Sequence, residues 1–375
     1  MSGSEPAPRR SRGVPLAGLA ALLLILLIES EVPDAPGLWE LMAERGGQLG
    51  LIERGVLSDR LELIRLSPQA TRPVALYVLG TSRAQQAIRE VDALGVPVDY
   101  AMLTHPGMQP FEMLNIAEDV VASDPDIVVL VASAFDTHRP LSLGAQTAPG
   151  SVAALVDLLR AVPPRFAWEH REVMLELLLC GLLDSYRFRD LYTGAGLGRW
   201  RYFGGTPPGD GITRGLTPLV SHTLVDMDRA LAQTRELFPF VPDRSLLQEI
   251  RLVQGVTVGT HVPIQRALLR RTCEVLSGSG CDVVLVEGPL HPLADRYHDA
   301  SVRRHFLAFA DELQRDLGVR VLTLEQSGPF VSDDFADLTH LSERGSEKLV
   351  AVLRETLAPL AAERWARRAA AAAAR

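Results

Sequence analysis

Val74-Ala75-Leu76-Tyr77-Val78-Leu79-Gly80-Thr81-Ser82-Arg83-Ala84 is the stretch on which the reading of this chain turns. Its first six residues are apolar and uncharged, the pattern of a strand buried on both faces, as in a parallel sheet. Gly80 then permits a sharp turn, and Arg83-Ala84-Gln85-Gln86-Ala87-Ile88 supplies good helix formers. A serine at such a turn stands at the carboxyl edge of a sheet, beside the amide-rich start of a helix. Open α/β sheets bind ligands there, and a nucleophile can be presented to solvent there. The plain alternative is that Ser82 only caps the helix, since serine is a favoured N-cap.

Working outward, the chain from Arg72 alternates strand and helix. Strands are expected at Val74–Leu79, Val98–Leu103, Ile127–Val131, Val283–Val286 and Val319–Leu324. Helical patterns separate them at Ala84–Leu94, Phe111–Ala122, Ile264–Leu276 and Val302–Leu317. Such alternation predicts an α/β fold, a flavodoxin-like three-layer sandwich with a parallel sheet and right-handed crossovers. The alternation breaks between about 139 and 245, a helical insertion. That segment holds the apolar run Val173–Leu183 and a Gly/Pro-rich loop with Trp200, Arg201, Tyr202 and Phe203. Three readings stay open for it: a helical extension of the core, a lid or substrate platform over the carboxyl edge, or a surface facing a membrane or partner.

Near the far end, Asp337-Leu338-Thr339-His340-Leu341-Ser342 precedes a helical pattern carrying Leu349, Val350, Val352, Leu353 and Leu357. A serine alcohol is a poor nucleophile at neutral pH and needs a base to take its proton. His340 is the candidate base, and Asp337 the carboxylate that orients its ring and stabilises the imidazolium. Ser82, Asp337 and His340 also follow the chain order of many α/β hydrolytic enzymes. The plain alternative makes Asp337 a turn cap and His340 a surface histidine.

A strand-Gly-Thr-Ser turn early and Asp-x-x-His before the last helix together resemble the SGNH (GDSL-like) hydrolase superfamily. More narrowly, they resemble its membrane-anchored branch, which includes teichoic-acid D-alanylation and polysaccharide O-acetylation proteins. The resemblance covers residues 73–357 by position and implies a Ser82-His340-Asp337 triad, with no cofactor and no metal. By position it also makes Gly107, in Thr104-His105-Pro106-Gly107-Met108, a second oxyanion donor beside the Ser82 amide; an ordinary Pro-Gly turn is the alternative. The chain departs from the family where Ser133-Ala134-Phe135-Asp136 replaces the usual Gly-x-Asn-Asp turn, placing Phe135 where an Asn donor is expected. A one-residue slip brings Ser133 or Asp136 toward the pocket, although an ionised Asp cannot donate. Thr81 likewise stands where the first block usually has Asp.

The ends and the composition bound what the domain can do. Residues 1–13 carry Arg9, Arg10 and Arg12 ahead of an apolar run, and 14–30 is expected to be a transmembrane signal anchor. As a helix the apolar run Val14–Ile28 spans roughly 22 Å, less than the ~30 Å hydrocarbon core, and arginine snorkelling with the next few residues extends it. A cleaved signal peptide has an apolar region of the same length. Residues 31–72 read as a stalk, and 358–375 as an Ala/Arg-rich tail expected to continue the last helix and then fray. Of the 375 residues, 47% are hydrophobic, ample for a packed core, and the net charge of −8 provides no general attraction for nucleic acid. Cys180, Cys273 and Cys281 show no metal-ligand spacing, and nothing in their separation establishes a disulfide.

His291, in the Pro-rich segment after the fourth strand, is a candidate pocket residue. The seven-residue spacing of His291, His298 and His305 suggests a metal face, but Pro292 and helical drift weaken it. The expectation is a single-pass membrane protein with its domain outside the cytoplasm, a serine acyl-esterase or O-acyltransferase. Its substrate would be an acylated cell-envelope glycan or carrier, with a membrane-bound acyltransferase as partner. The reading from a different class is a non-catalytic assembly protein of the same fold.

Overall fold

In the computed structural model, the opening stretch is a strand, β1 (Val74–Gly80), and all of its residues are buried. The structure describes residues 72–88, 91, 94–104, 108–138, 152–161, 164–169, 171, 175, 178, 226–256, 261–299, 301–326 and 328–373. The expected anchor, the stalk before Arg72, Gly107, Cys180 and insertion residues 179–225 lie outside them. No helix among the described residues is long and apolar enough to cross a membrane.

After β1 come α1 (Ser82–Ala87), β2 (Val98–Thr104), α2 (Pro110–Ala122), β3 (Ile127–Ala132) and α3 (Ala134–His138). The described parts of the insertion are α4 (Val152–Ala161), α5 (Pro164–Glu169), α6 (Met227–Leu237) and the start of α7 (Asp243–Gln254). Then follow α8 (His261–Gly278), β4 (Asp282–Glu287), α9 (Ser301–Leu317), β5 (Arg320–Leu322) and α10 (Glu343–Ala373). The five strands form one parallel sheet in the order β2-β1-β3-β4-β5. That is the order of flavodoxin-like doubly wound sheets, whose ligand crevice opens where β1 and β3 lie side by side and their connections diverge.

The sequence pattern explains this arrangement. β1 and β3 (Ile-Val-Val-Leu-Val-Ala) are apolar throughout because helices cover both faces of a parallel sheet. Right-handed crossovers send the chain from β1 to β2 over one face and from β2 to β3 to β4 to β5 over the other. Accordingly α10 packs on α1 and β1, while α2, α8 and α9 pack together in a second layer. The register aligns Gly80 with Thr104 and Val131, and Ala132 with Glu287. Ser82, Ser133 and Gly288 therefore leave the sheet at one common edge.

Residues 358–375, set apart in sequence as a tail, continue α10 as far as Ala373. Arg364 pairs with Asp282 at 2.7 Å, and Arg368 pairs with Asp126 and reaches the carbonyl of Pro73 at 2.8 Å. Asp126 also accepts the Ala75 N–H at 2.8 Å, so the end of α10 fastens the amino edge of β1, β3 and β4. The insertion divides. α4 lies on the α2–α8 layer, where Asp157 accepts from Arg271 at 2.8 Å. Residues from Asp226 through α7 instead lie beside the segments that follow β4 and β5. There Thr234 and Tyr297 share a hydroxyl hydrogen bond of 3.1 Å. Cys273 and Cys281 are separate, buried free thiols, and burial pushes Cys273 up to about 12.

Candidate active site

Local chemistry after β1 frees Ser82 from capping. Thr81 has extended backbone (φ −81, ψ −174), and its hydroxyl accepts the Arg83 N–H at 3.2 Å. Thr81 is thus the N-cap, and Ser82 is the first helical residue, its amide without an intrahelical acceptor. Gly80 serves space rather than a left-handed turn: its φ is not positive. A Cβ there would lie 2.6 Å from the Ala84 Cβ and 3.0 Å from the Val131 carbonyl oxygen. The missing side chain lets α1 start tight against β3.

The partner loop is built just as tightly. Ala336 N–H donates to the His340 carbonyl at 2.9 Å, Ser342 N–H to the Asp334 carbonyl at 2.9 Å, and Phe335 bridges Leu341. A Cβ on Gly345 would sit 2.0 Å from the Asp334 carbonyl oxygen, so glycine lets this loop close over the first turn of α10. Within the loop Asp337 Oδ1 accepts the N–H of Thr339 at 2.8 Å and of His340 at 2.7 Å. Asp337 does cap a turn, and the same carboxylate meets the ring: His340 Nδ1 lies 2.8 Å from Oδ2 and 3.0 Å from Oδ1.

Across the carboxyl edge, Ser82 Oγ lies 3.0 Å from His340 Nε2. With Nδ1–H donating to Asp337, Nε2 is left to accept the serine hydroxyl; the tautomer follows from the hydrogen-bond network. The side chains of His340 and Asp337 are 19% and 17% exposed, shielded but reachable. Burial pushes the Asp337 carboxyl up. The hydrogen bond and charge of His340, with the N–H groups of Thr339 and His340, outweigh that and hold it below its ordinary value.

The other expected residues are placed differently. Ser133 and Asp136 are 3% and 0% exposed, and they face inward rather than into a pocket. Asp136 pairs with Arg83 and accepts the Ser133 N–H at 2.8 Å, while Arg83 also donates to Ser133 Oγ at 2.9 Å. Phe135 stacks over the Arg83 guanidinium at 4.9 Å. The slip that was to bring Ser133 or Asp136 to the substrate gives way to this buried network, because an arginine next to Ser82 needs a counter-charge. His291 is 1% exposed, wedged edge-on against Phe238 and Phe335, and its Nδ1 accepts the Leu293 N–H at 3.0 Å. Its contribution runs through the backbone: His291 N–H donates to the Leu338 carbonyl at 3.1 Å. His298 pairs with Asp295 at 3.4 Å and His305 stacks on His138, so the seven-residue spacing does not gather a metal face.

Sequence reasoning missed Glu249. On α7 the buried positions Leu246, Ile250 and Val253 form one stripe, and Glu249 falls within it. A carboxylate on the apolar stripe of an amphipathic helix was the available signal. Its Oε2 accepts the Leu338 N–H at 3.0 Å, and donor atoms of Glu249, Asp337 and His340 all lie within 4.8 Å of one another. A cation there would compete for the His340 Nδ1 and Asp337 oxygens that the Ser82 relay uses. Holding a metal and holding the relay are therefore mutually exclusive. Compared with known proteins, the chain matches no family model, and no curated protein matches it.

Proposed function

We propose that this protein is a serine acyl-esterase or O-acyltransferase of SGNH-like, flavodoxin-like three-layer architecture, anchored in a membrane and acting outside the cytoplasm. The observation that carries the reading is the hydrogen-bonded line Ser82 Oγ–His340 Nε2 and His340 Nδ1–Asp337, at 3.0 and 2.8 Å. In this mechanism His340 Nε2 takes the hydroxyl proton as Ser82 Oγ attacks an acyl carbonyl carbon. Asp337 stabilises the imidazolium, and the Ser82 N–H at the start of α1 faces the developing oxyanion. His340 then gives its proton to the departing alcohol, leaving an acyl-Ser82 ester. Water or an acceptor hydroxyl, deprotonated by the same nitrogen, attacks that ester and releases Ser82. An acylated envelope glycan or carrier is the substrate class, with a small acyl group, and a membrane-bound acyltransferase fits as the donor-side partner.

One observation favours a second reading, a non-catalytic assembly protein that binds glycan or such an acyltransferase. Phe135, Ser133 and Asp136 offer no free side-chain donor where an oxyanion donor is expected, since the polar pair is committed to Arg83. A fluorophosphonate probe separates the two. Labelling of the full chain that is lost in Ser82→Ala and slowed in His340→Ala supports the enzyme; a wild-type chain that stays unlabelled favours the binding protein.

A further inference from the structure

The tetrapeptide from Asp337 to His340 is gripped at one residue, Leu338, from two sides. The Leu338 N–H donates to Glu249 Oε2 at 3.0 Å, and its carbonyl accepts the His291 N–H at 3.1 Å. Glu249 is therefore the point at which α7 touches the base and its orienter. The helix is anchored there by Leu246, Ile250 and Val253, all fully buried. A carboxyl group so placed faces a second carboxylate, Asp337, and is partly cut off from water. Two ionised carboxylates at that separation repel, whereas one neutral and one ionised carboxyl attract through a shared proton.

We infer that Glu249 is a positioning residue of the relay: as a neutral carboxylic acid it donates a hydrogen bond to Asp337 while accepting the Leu338 N–H. This inference rests on the acyl-transfer reading of the site. A neutral carboxyl group has one hydroxyl to donate and one carbonyl to accept with, and these two partners use both. The arrangement keeps Asp337 ionised and aimed at His340 Nδ1, which in turn keeps Nε2 open toward Ser82. Burial, and then the charge of Asp337, pushes Glu249 up to about 8, with only the Leu338 N–H opposing.

Among the described residues, the surrounding titratable groups are few. From the loop before α10 they are Asp337 and His340, and from the segment after β4 they are His291 and Asp295. Burial lowers His291, so its ring adds no compensating charge near neutral pH. On α7 itself Arg244 and Arg251 are exposed, and the Arg235–Asp243 pair lies at the far, solvent-facing start of the helix. Above about pH 8, Glu249 loses the proton it donates, and the two carboxylates push apart.

The test is the rate at which a fluorophosphonate labels Ser82 in the full chain, followed from about pH 6 to about pH 10. The wild-type rate is expected to fall on an alkaline limb near pH 8. Glu249→Gln keeps a donor and an acceptor but has no proton to lose. It should label within about threefold of wild type at neutral pH and lack that limb. Glu249→Leu should be slower by about tenfold or more at every pH, with the Leu338 N–H left without its acceptor. A glutamate needed for its negative charge would give the reverse, with the Gln variant impaired throughout. A Gln variant that retains the wild-type alkaline limb overturns the inference even if the Leu variant does not fold. The His340 Nδ1–H proton resonance gives a readout without turnover: it should shift through pH 8 in the wild type and stay constant in Glu249→Gln. If Ser82 never labels, the acyl-transfer reading fails, and the resonance still decides whether Glu249 holds Asp337.

Discussion

Arg83 and Asp136 form an ion pair beneath the nucleophile turn, with side chains only 5% and 0% exposed. The pair joins the first turn of α1 to the residues after β3, across the crevice where the two connections diverge. Arg83 Nη1 also lies where a Cβ on Gly288 would come within 3.4 Å, so the segment after β4 closes over the same guanidinium. Ser82 is one peptide away from this knot, which explains how a short helix presents a side chain at a set distance from His340.

Removing one half of that pair leaves a buried, uncompensated charge. Asp136→Leu should cost about 3–5 kcal/mol, and Arg83→Met with Asp136→Leu should recover most of it. Urea unfolding of the two variants provides the check. A single-variant loss below about 1 kcal/mol would mean that Arg83 finds water instead.

Turnover of a small-acyl ester should separate the three members of the relay. Ser82→Ala is expected to lose roughly four to six orders of magnitude in kcat, and His340→Ala a similar amount. Asp337→Asn can still accept the Thr339 and His340 N–H groups, yet presents an amide that favours the wrong histidine tautomer. Its loss should be about 10⁴-fold, with KM little changed. Equal activity of Asp337→Asn and wild type would remove Asp337 from the mechanism.

Stability should respond to pH through the two neighbouring carboxyls in opposite directions. Asp337 is held below its ordinary 3.8, so its contribution is present above that value and is lost as pH falls through the lower folded value. Glu249 is raised from 4.5 to about 8, so its contribution is complete below 4.5 and disappears as pH climbs to about 8. The difference in Tm between Glu249→Gln and wild type should therefore widen in favour of Gln from about pH 5 to pH 8 and then level off. A constant difference over that range would show that Glu249 ionises as it does in the unfolded chain.

The end of α10 should behave as part of the domain. Arg368→Met strips Asp126 of its ion pair and frees the Pro73 carbonyl, at a cost of roughly 3 kcal/mol. Deleting residues 362–375 should be worse, because Arg364 goes as well. Denaturant midpoints unchanged by the deletion would make the helix end dispensable.

For the amino terminus, a reporter active only outside the cytoplasm and fused after residue 72 should be active and sediment with membranes. The motivation is Arg9, Arg10 and Arg12 ahead of the apolar run Val14–Ile28. Recovery of a soluble chain beginning near residue 31 would replace the anchor with a cleaved signal.

Much of the architecture was legible in the chain because strand and helix periodicities are local properties. Runs such as Val74–Leu79 and Ile127–Val131 can satisfy their apolar side chains only inside a parallel sheet covered on both faces. The turn after β1 and the Asp-x-x-His loop before the last helix were equally visible, since each carries a local cap: Thr81 accepts the Arg83 N–H, and Asp337 accepts those of Thr339 and His340. What lay beyond reach were contacts between segments far apart in sequence. Ser82 and His340 are 258 residues apart, and their 3.0 Å approach depends on the register of the whole sheet. Phe135 marked a departure in the sequence, but nothing local tells that Ser133 and Asp136 turn inward to neutralise Arg83. Glu249 showed only as a charge on an apolar stripe, and what it meets depends on where α7 docks. The helix end at Arg364 and Arg368 looked like a fraying tail because Asp282 and Asp126 come from other segments. Local sequence determines which hydrogen bonds a segment can make by itself; partners for buried charge come from whichever distant segment the packing brings near, and only the tertiary structure decides that.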